Sequence, residues 1–322
     1  MGNDNFINDE DLSLTCARLT EKTALAVSQF IGSGDEEKAN SAAVNAMANG
    51  LSNLKIRGRL AAGTQKNEGT KSYILENVGS GQGQELDVAL DPLEGKTLTA
   101  KGLPNALSVI AFGSKNSFLR VPKLYMEKLA VGPDYPENIV SLDMSPTERI
   151  HELAREKNCK TNEINICVLE RPRNLALIEE VRNTGAKINL ISDGDIAGTI
   201  NCLRNDETAI DSYMGSGGAQ EGILSAVATK CLGGQMQGRM LLENPSDSQM
   251  LFEDYNLDPK KIISINEMVK GPVIFAASGV TDSALMKGVR LTSKYTQVET
   301  LLLRSKTMSF RKIIYRKKIN LL

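Results

Sequence analysis

The chain has 322 residues, 41% of them hydrophobic and 24% charged, so it can bury a sizeable core and its length suggests about two domains. Lys and Arg (38) nearly balance Asp and Glu (39), leaving a formal charge of −1 that argues against a general affinity for nucleic acid or anionic membranes. No apolar run reaches the roughly 18 residues of a membrane span, and neither a signal-peptide pattern nor an N-myristoylation motif is expected, since Phe6 stands where the latter needs Ser or Thr.

In chain order, the first pattern is helical: Leu12, Cys16, Leu19, Val27 and Phe30 share one stripe across residues 11–30. After the Gly32-Ser33-Gly34 turn, residues 36–51 predict a second helix, and Ala39, Ala42, Ala43 and Ala46 suit it to close packing. Residues 55–62 predict a strand and 63–72 a polar loop. Gly79, Gly81 and Gly83 then lead to a strand in which Leu86, Val88 and Leu90 alternate with polar or small residues. Further short strands are expected at 107–112 and 118–121.

The second part of the chain alternates helix and strand. Ser145-Pro146-Thr147-Glu148 combines an N-cap, a Pro at the first helical position and a capping acid, so a helix opens there and runs to about Asn158. Residues 164–169, 174–183 and 187–191 read as strand, helix and strand, a unit that implies parallel strands. Asp193-Gly194-Asp195 follows the second strand, the usual ligand position in open α/β sheets. A glycine-rich loop over residues 215–222 opens a helix at 221–232, whose N–H groups suit a phosphate, although such loops also serve as plain turns. Residues 244–259 read as irregular, and 273–277 and 300–303 as late strands. The tail beyond Glu299 is basic and has no acid; it reads as a solvated edge strand in preference to a nucleic-acid arm. The expected division is an N-terminal half, residues 1–150, and a C-terminal α/β half, residues 151–322, that ends in this tail.

The most informative stretch is residues 86–97. Asp91-Pro92 is expected to end the strand, because Pro92 offers no N–H to a ladder, and Gly95 permits a tight turn. Asp91 and Glu94 would then stand at a rigid strand end, two hard oxygen donors suited to Mg²⁺ or Mn²⁺ beside a phosphate. An ordinary turn would use the same residue types. Gly95-Lys96-Thr97 is not the end of a P-loop, since the required earlier glycine falls at Leu90. His151 is the only histidine and reads as a solvent-facing helix residue, which removes His-rich zinc sites from consideration. Cys16, Cys159, Cys167, Cys202 and Cys231 form no Cys-x-x-Cys pair and fit a reducing compartment, with the cytoplasm expected.

An ordered set of short motifs spans most of the chain. It begins with Leu19-Thr20-Glu21, Ala42-Ala43-Val44, Asp91-Pro92-Leu93-Glu94-Gly95, Tyr125-Met126-Glu127-Lys128 and Arg171-Pro172-Arg173. It continues with Asp193-Gly194-Asp195, Gly217-Gly218-Ala219-Gln220-Glu221-Gly222 and Glu299-Thr300-Leu301-Leu302. Each is weak alone, but in this order and spacing the chain resembles the class II fructose-1,6-bisphosphatases, the bacterial and cyanobacterial sugar-bisphosphate phosphatases. The resemblance implies a layered α/β (α+β) sandwich of the sugar-phosphatase and inositol-monophosphatase type. It also implies hydrolysis of the 1-phosphate of fructose 1,6-bisphosphate in gluconeogenesis, with Mg²⁺ or Mn²⁺ as cofactor and a homo-oligomer as the working form. By the same resemblance Asp91, Glu94 and Glu221 match metal positions. Glu94, Gly95, Lys96, Tyr125, Arg171, Pro172, Arg173, Asp193, Gly194, Asp195 and Gly218 match positions that hold the sugar phosphate. Guanidinium forks suit phosphate oxygens, and carboxylates accept from sugar hydroxyls.

Three positions depart from the family pattern. Asn40 stands where the family has a metal-binding Asp, and Thr64 where it has a Glu, with Glu68 the nearest acid. Lys96 replaces the hydroxyl residue that orients the attack, with Thr97 the candidate substitute. A multi-metal site depends on anionic charge, so metal affinity should fall. Lys96 is expected to pair with Asp91 and Glu94 in the place of a cation. Two descriptions follow: a metal-dependent phosphatase with impaired turnover, or an inactive family member that binds sugar phosphate or a protein partner.

Overall fold

The structure, a computed structural model, describes residues 9–63 and 76–318. The chain opens with α1 (Asp9–Val27), α2 (Glu36–Ser52), β1 (Ile56–Ala62), β2 (Asn77–Val78), β3 (Gln84–Glu94), α3 (Lys96–Lys101) and β4 (Leu107–Ser114). It continues through β5 (Tyr125–Val131), α4 (Pro146–Glu156), β6 (Asn165–Leu169), α5 (Leu175–Asn183), β7 (Lys187–Ile191), α6 (Asp195–Leu203) and α7 (Asn205–Thr208). Next come β8 (Ser212–Gly218), α8 (Ala219–Leu232), β9 (Gln235–Leu241), α9 (Pro245–Tyr255), β10 (Ile263–Ser264) and α10 (Ile265–Met268). Strands β11 (Val273–Gly279), β12 (Arg290–Leu291), β13 (Tyr295–Arg304) and β14 (Ser309–Lys318) close the chain. This is the expected layered mixture of helices and mixed sheets.

Contacts divide the chain into Met1–Phe118 with Lys270–Leu322, and Leu119–Val269, instead of at residue 150. The reason lies in strand pairing: β11 pairs antiparallel with both β4 and β13, so the end of the chain completes the sheet that its beginning starts. In this first unit the strands run β12-β13-β11-β4-β3-β1-β2, with β14 on β13, and β1 and β3 are parallel. Helices α1 and α2 bring Leu12, Cys16, Leu19, Val44 and Met47 onto Leu60, Leu86, Val88, Leu90 and Phe112 of the sheet. Ser278 donates from its hydroxyl to Thr20 at 2.7 Å and lies 2.7 Å from the Thr300 hydroxyl, so two motifs at opposite ends of the sequence meet inside this unit. The basic tail beyond Glu299 comprises the end of β13, where Arg304 is buried, and the paired strand β14, on which Arg311, Lys312, Arg316, Lys317 and Lys318 are exposed.

The second unit carries the sheet β10-β9-β5-β8-β6-β7, in which β6 is parallel to both neighbours. Leu129 and Val131 of β5 join Ile166, Val168 and Met214 in a core covered by Ile150 and Leu153 of α4 and Ile178 and Val181 of α5. Lys128 faces the other way, toward α6 and α8. The βαβ unit at β6-α5-β7 has the predicted parallel register.

Four expectations change. Strand β3 does not stop at Asp91-Pro92; it runs to Glu94 through a register shift between Asp91 and Glu94, where the missing N–H of Pro92 interrupts nothing. Residues 118–121 hold only a bridge at Phe118; the strand lies beyond Pro122, at β5. The glycine stretch is mostly strand, since β8 reaches Gly218 and α8 starts at Ala219. Residues 244–259 contain α9, opened by a capping box between Asn244 and Asp247 that the polar composition concealed.

One buried charge stabilises the start of β1 and β3. Asp87 has no exposed side-chain surface; it accepts from Arg59 at 2.9 and 3.0 Å and from the Phe118 N–H at 3.0 Å. Removing one partner of a buried pair leaves an uncompensated charge, which costs about 3 kcal/mol or more. Arg59→Ala should therefore lower the unfolding free energy measured by denaturant titration by that amount; a loss below about 1 kcal/mol would show that the Phe118 N–H suffices for Asp87.

Candidate functional site

The first cluster of predicted site residues lies where β3 turns into α3. Asp91 and Glu94 pair with Val109 and Leu107 of β4 on either side of the register shift, which leaves Pro92 and Leu93 between them out of the ladder; the Asp91 carboxylate accepts from the Leu93 N–H at 3.0 Å, and Glu94 is 4% exposed. Gly95 follows at φ +84°, where an added Cβ would lie 2.9 Å from the Leu98 side chain and 3.3 Å from Ala106, so only glycine makes this turn without strain. Lys96 and Thr97 open α3. Lys96 does not pair with the two carboxylates as expected. Its ammonium lies 3.8 Å from Glu37, at the start of α2, with 48% of the side chain exposed. Asn40 lies three residues beyond Glu37 on the same helix, so it shares that face of α2. Thr64 and Glu68 lie outside the described residues.

The second cluster belongs to the other unit. Tyr125 opens β5, and the Arg173 guanidinium stacks over its ring at 4.1 Å while Nε donates to the Ser216 carbonyl at 3.0 Å. Arg171 donates to the Ser192 carbonyl and lies 3.5 Å from Asp193. Pro172 begins the short turn between them and is exposed. Asp193 accepts from the Gly194 N–H, and Gly194, at φ +83°, leads into α6 with Asp195 as its first residue.

Two acids at helix starts pack onto glycines of β8. A Cβ on Gly217 would lie 2.0 Å from a carboxylate oxygen of Asp195, and one on Gly218 would lie 2.0 Å from a carboxylate oxygen of Glu221. Both carboxylates occupy the space that side chains would fill. Burial raises the pKa of Glu221, with the Asp195 charge acting in the same direction and Lys128 opposing it.

Two residues to which the motifs assigned no role organise this cluster. Asn174, 2% exposed, donates to the Leu169 carbonyl at 2.8 Å and the Ser216 carbonyl at 3.2 Å, and it accepts from the Ser216 N–H and hydroxyl, tying β6 to β8. Lys128, fully buried, pairs with Asp195. In the sequence Lys128 closes the Tyr125-Met126-Glu127-Lys128 motif, which gave it no role of its own.

Among the described residues no three His, Cys, Asp or Glu side chains form a group able to hold a metal alone. A hard divalent cation fits the Asp91 and Glu94 donors nevertheless, since Mg²⁺ is commonly held by one or two carboxylates with substrate phosphate and water completing its shell. Glu221, matched to a metal position by resemblance, belongs to the other unit. A separate cavity of about 370 Å³ opens at the opposite end of β1 and β3, lined by Arg57, Arg59, Glu85, Asp87 and Lys115.

With this geometry in place, comparison with known proteins settles the family. Residues 10–317 match the family described as bacterial fructose-1,6-bisphosphatase, glpX-encoded. The chain is 34% identical to the class 2 fructose-1,6-bisphosphatase of Haemophilus influenzae, over 94% of both chains. It is 34% identical to fructose-1,6-bisphosphatase 1 class 2 of Escherichia coli K12, again over 94% of both. The chain belongs to the class 2 fructose-1,6-bisphosphatase family, whose members are metal-dependent phosphatases.

The raised pKa of Glu221 carries a stability cost. The folded chain holds this proton at pH values where the unfolded chain has released it, so stability falls as pH rises from the ordinary carboxylate range through the folded pKa. Glu221→Gln should therefore raise Tm at neutral pH, with the gain vanishing below about pH 4. A variant less stable than the parent at neutral pH would contradict this cost.

Proposed function

We propose that the chain hydrolyses fructose 1,6-bisphosphate at the 1-phosphate, releasing a sugar monophosphate and inorganic phosphate, with Mg²⁺ or Mn²⁺ held by Asp91 and Glu94. The observation that carries the reading is the pair of carboxylates fixed at the β3 register shift and followed at once by the first turn of α3, in a chain that matches this family over nearly its whole length. When bound, the cation would withdraw charge from the phosphoryl oxygens. The first-turn N–H groups of α3 lack helical partners and can donate to the same oxygens. Thr97, in that turn, supplies the hydroxyl that Lys96 has displaced.

Arg171 and Arg173 are proposed to grip phosphate, and each is pre-oriented: Arg173 by the Tyr125 ring and the Ser216 carbonyl, Arg171 by the Ser192 carbonyl and Asp193. Pre-orientation matters because it reduces the side-chain entropy lost when ligand binds. Asp193 and Asp195 are proposed to accept from sugar hydroxyls. Five free cysteines among the described residues support a reducing compartment, and we propose the cytoplasm. A homo-oligomer is proposed as the working form.

Kinetics of two variants test the division of labour. Asp91→Ala should cut kcat by about 100-fold or more, the scale of removing one electrostatic contact to a reacting group. Arg173→Ala should raise KM by roughly 10–100-fold, the loss of a charge-assisted hydrogen bond, with a smaller effect on kcat. Affinity for fructose 1,6-bisphosphate without metal-dependent phosphate release would replace this reading with that of a sugar-phosphate receptor.

A further inference from the structure

We propose that Lys128 is a positioning residue of the sugar-phosphate site, whose buried ammonium fixes the Asp195 carboxylate for its ligand and balances the acids gathered around it. The inference rests on the proposed role of Asp195 in holding the sugar.

Lysine is almost never fully buried unless paired, because stripping water from an ammonium costs several kcal/mol. The Lys128 side chain has no exposed surface, and Nζ donates to a carboxylate oxygen of Asp195, whose side chain is 7% exposed. Three surrounding elements are shaped to admit this pair. On β8, a Cβ at Gly217 would lie 2.0 Å from the Asp195 oxygen and 3.1 Å from Nζ of Lys128. On α8, a Cβ at Gly222 would lie 3.2 Å from Cε of Lys128 and 2.8 Å from the Met126 sulfur. On α6, Asp195 is the first helical residue, so its backbone direction is set by the Gly194 turn.

Stability alone is a poor reason for this construction. Buried ion pairs can often be replaced by apolar residues of similar volume with no loss, and sometimes with a gain. A plain core at this position would not need glycine at both 217 and 222. The charge balance points to a ligand instead. Asp193, Asp195 and Glu221 interact electrostatically in one neighbourhood, and Lys128 is the cation that acts on Glu221 there. One ammonium holds such a group in place without neutralising all of it, leaving acceptors for donor groups such as sugar hydroxyls. Removing the ammonium would leave Asp195 buried, unpaired and free to rotate.

A double-mutant cycle with two readouts tests the proposal on the full chain, using calorimetric affinity for fructose 1,6-bisphosphate and Tm. Lys128→Met keeps the stem and removes the charge; it should weaken affinity and raise KM by about ten-fold or more while kcat changes far less. Lys128→Met with Asp195→Asn neutralises both partners, so Tm should recover, yet affinity should stay at the level of Asp195→Asn alone. Wild-type affinity in Lys128→Met, or recovery of affinity together with Tm in the double variant, would reduce Lys128 to a structural role. Additive losses would mean that Lys128 acts independently of Asp195, and would also overturn the proposal. Should Lys128→Met not fold, the comparison of the double variant with Asp195→Asn carries the test: equal affinity is expected, and a further ten-fold loss would refute it. No affinity in the wild-type chain would instead refute the assignment of Asp195 to the sugar.

Discussion

Carboxylates can stand inside a folded protein only where something balances their charge and something small leaves them room. In the second unit Lys128 meets the first condition and Gly217, Gly218 and Gly222 meet the second. The starts of α6 and α8 supply the acids, where the helix dipole favours negative charge. Strand β5 then serves two purposes at once. Leu129 and Val131 build the core against α4 and α5, and Lys128, just before Leu129 in sequence, reaches the opposite face. A one-residue slip of β5 would exchange these roles and put the ammonium into the apolar core.

The first unit solves a related problem with backbone geometry. The pair at Asp91 and Glu94 depends on an irregularity in β3, and Gly95 then turns the chain straight into α3. Farther back on the same strand, Asp87 and its Arg59 partner anchor β3 to β1, so the strand that carries the two acids is held rigidly from behind. Lys96 lies 3.8 Å from Glu37 of α2, in place of the expected pairing with Asp91 and Glu94.

Much of the fold was legible because local signals and packing agree. The capping box at Ser145 and the β6-α5-β7 unit have local causes and are present; Leu86, Val88 and Leu90 share one core as their spacing implies, but Asp87 and Ala89 between them are buried too, so β3 is covered on both faces. The domain division was not legible, because only long-range pairing of β11 with β4 reveals it. Strand β8 looked like a loop since its glycines serve side chains that arrive from elsewhere, namely Asp195 and Glu221. The motifs nominated the arginines and acids of the candidate site, and they contained Lys128 without giving it a role. Asn174 lay outside them, because a residue that holds two strands together carries no spacing signature of its own.

The central claim is that these acids and arginines serve turnover of a sugar bisphosphate. Phosphorus NMR of the wild-type chain with fructose 1,6-bisphosphate and Mn²⁺ or Mg²⁺, quenched with chelator before each spectrum, tests it most directly. The account predicts loss of the 1-phosphate resonance, growth of inorganic phosphate in equal amount and retention of the 6-phosphate. An unchanged spectrum at every metal concentration, or loss of the 6-phosphate first, would contradict it.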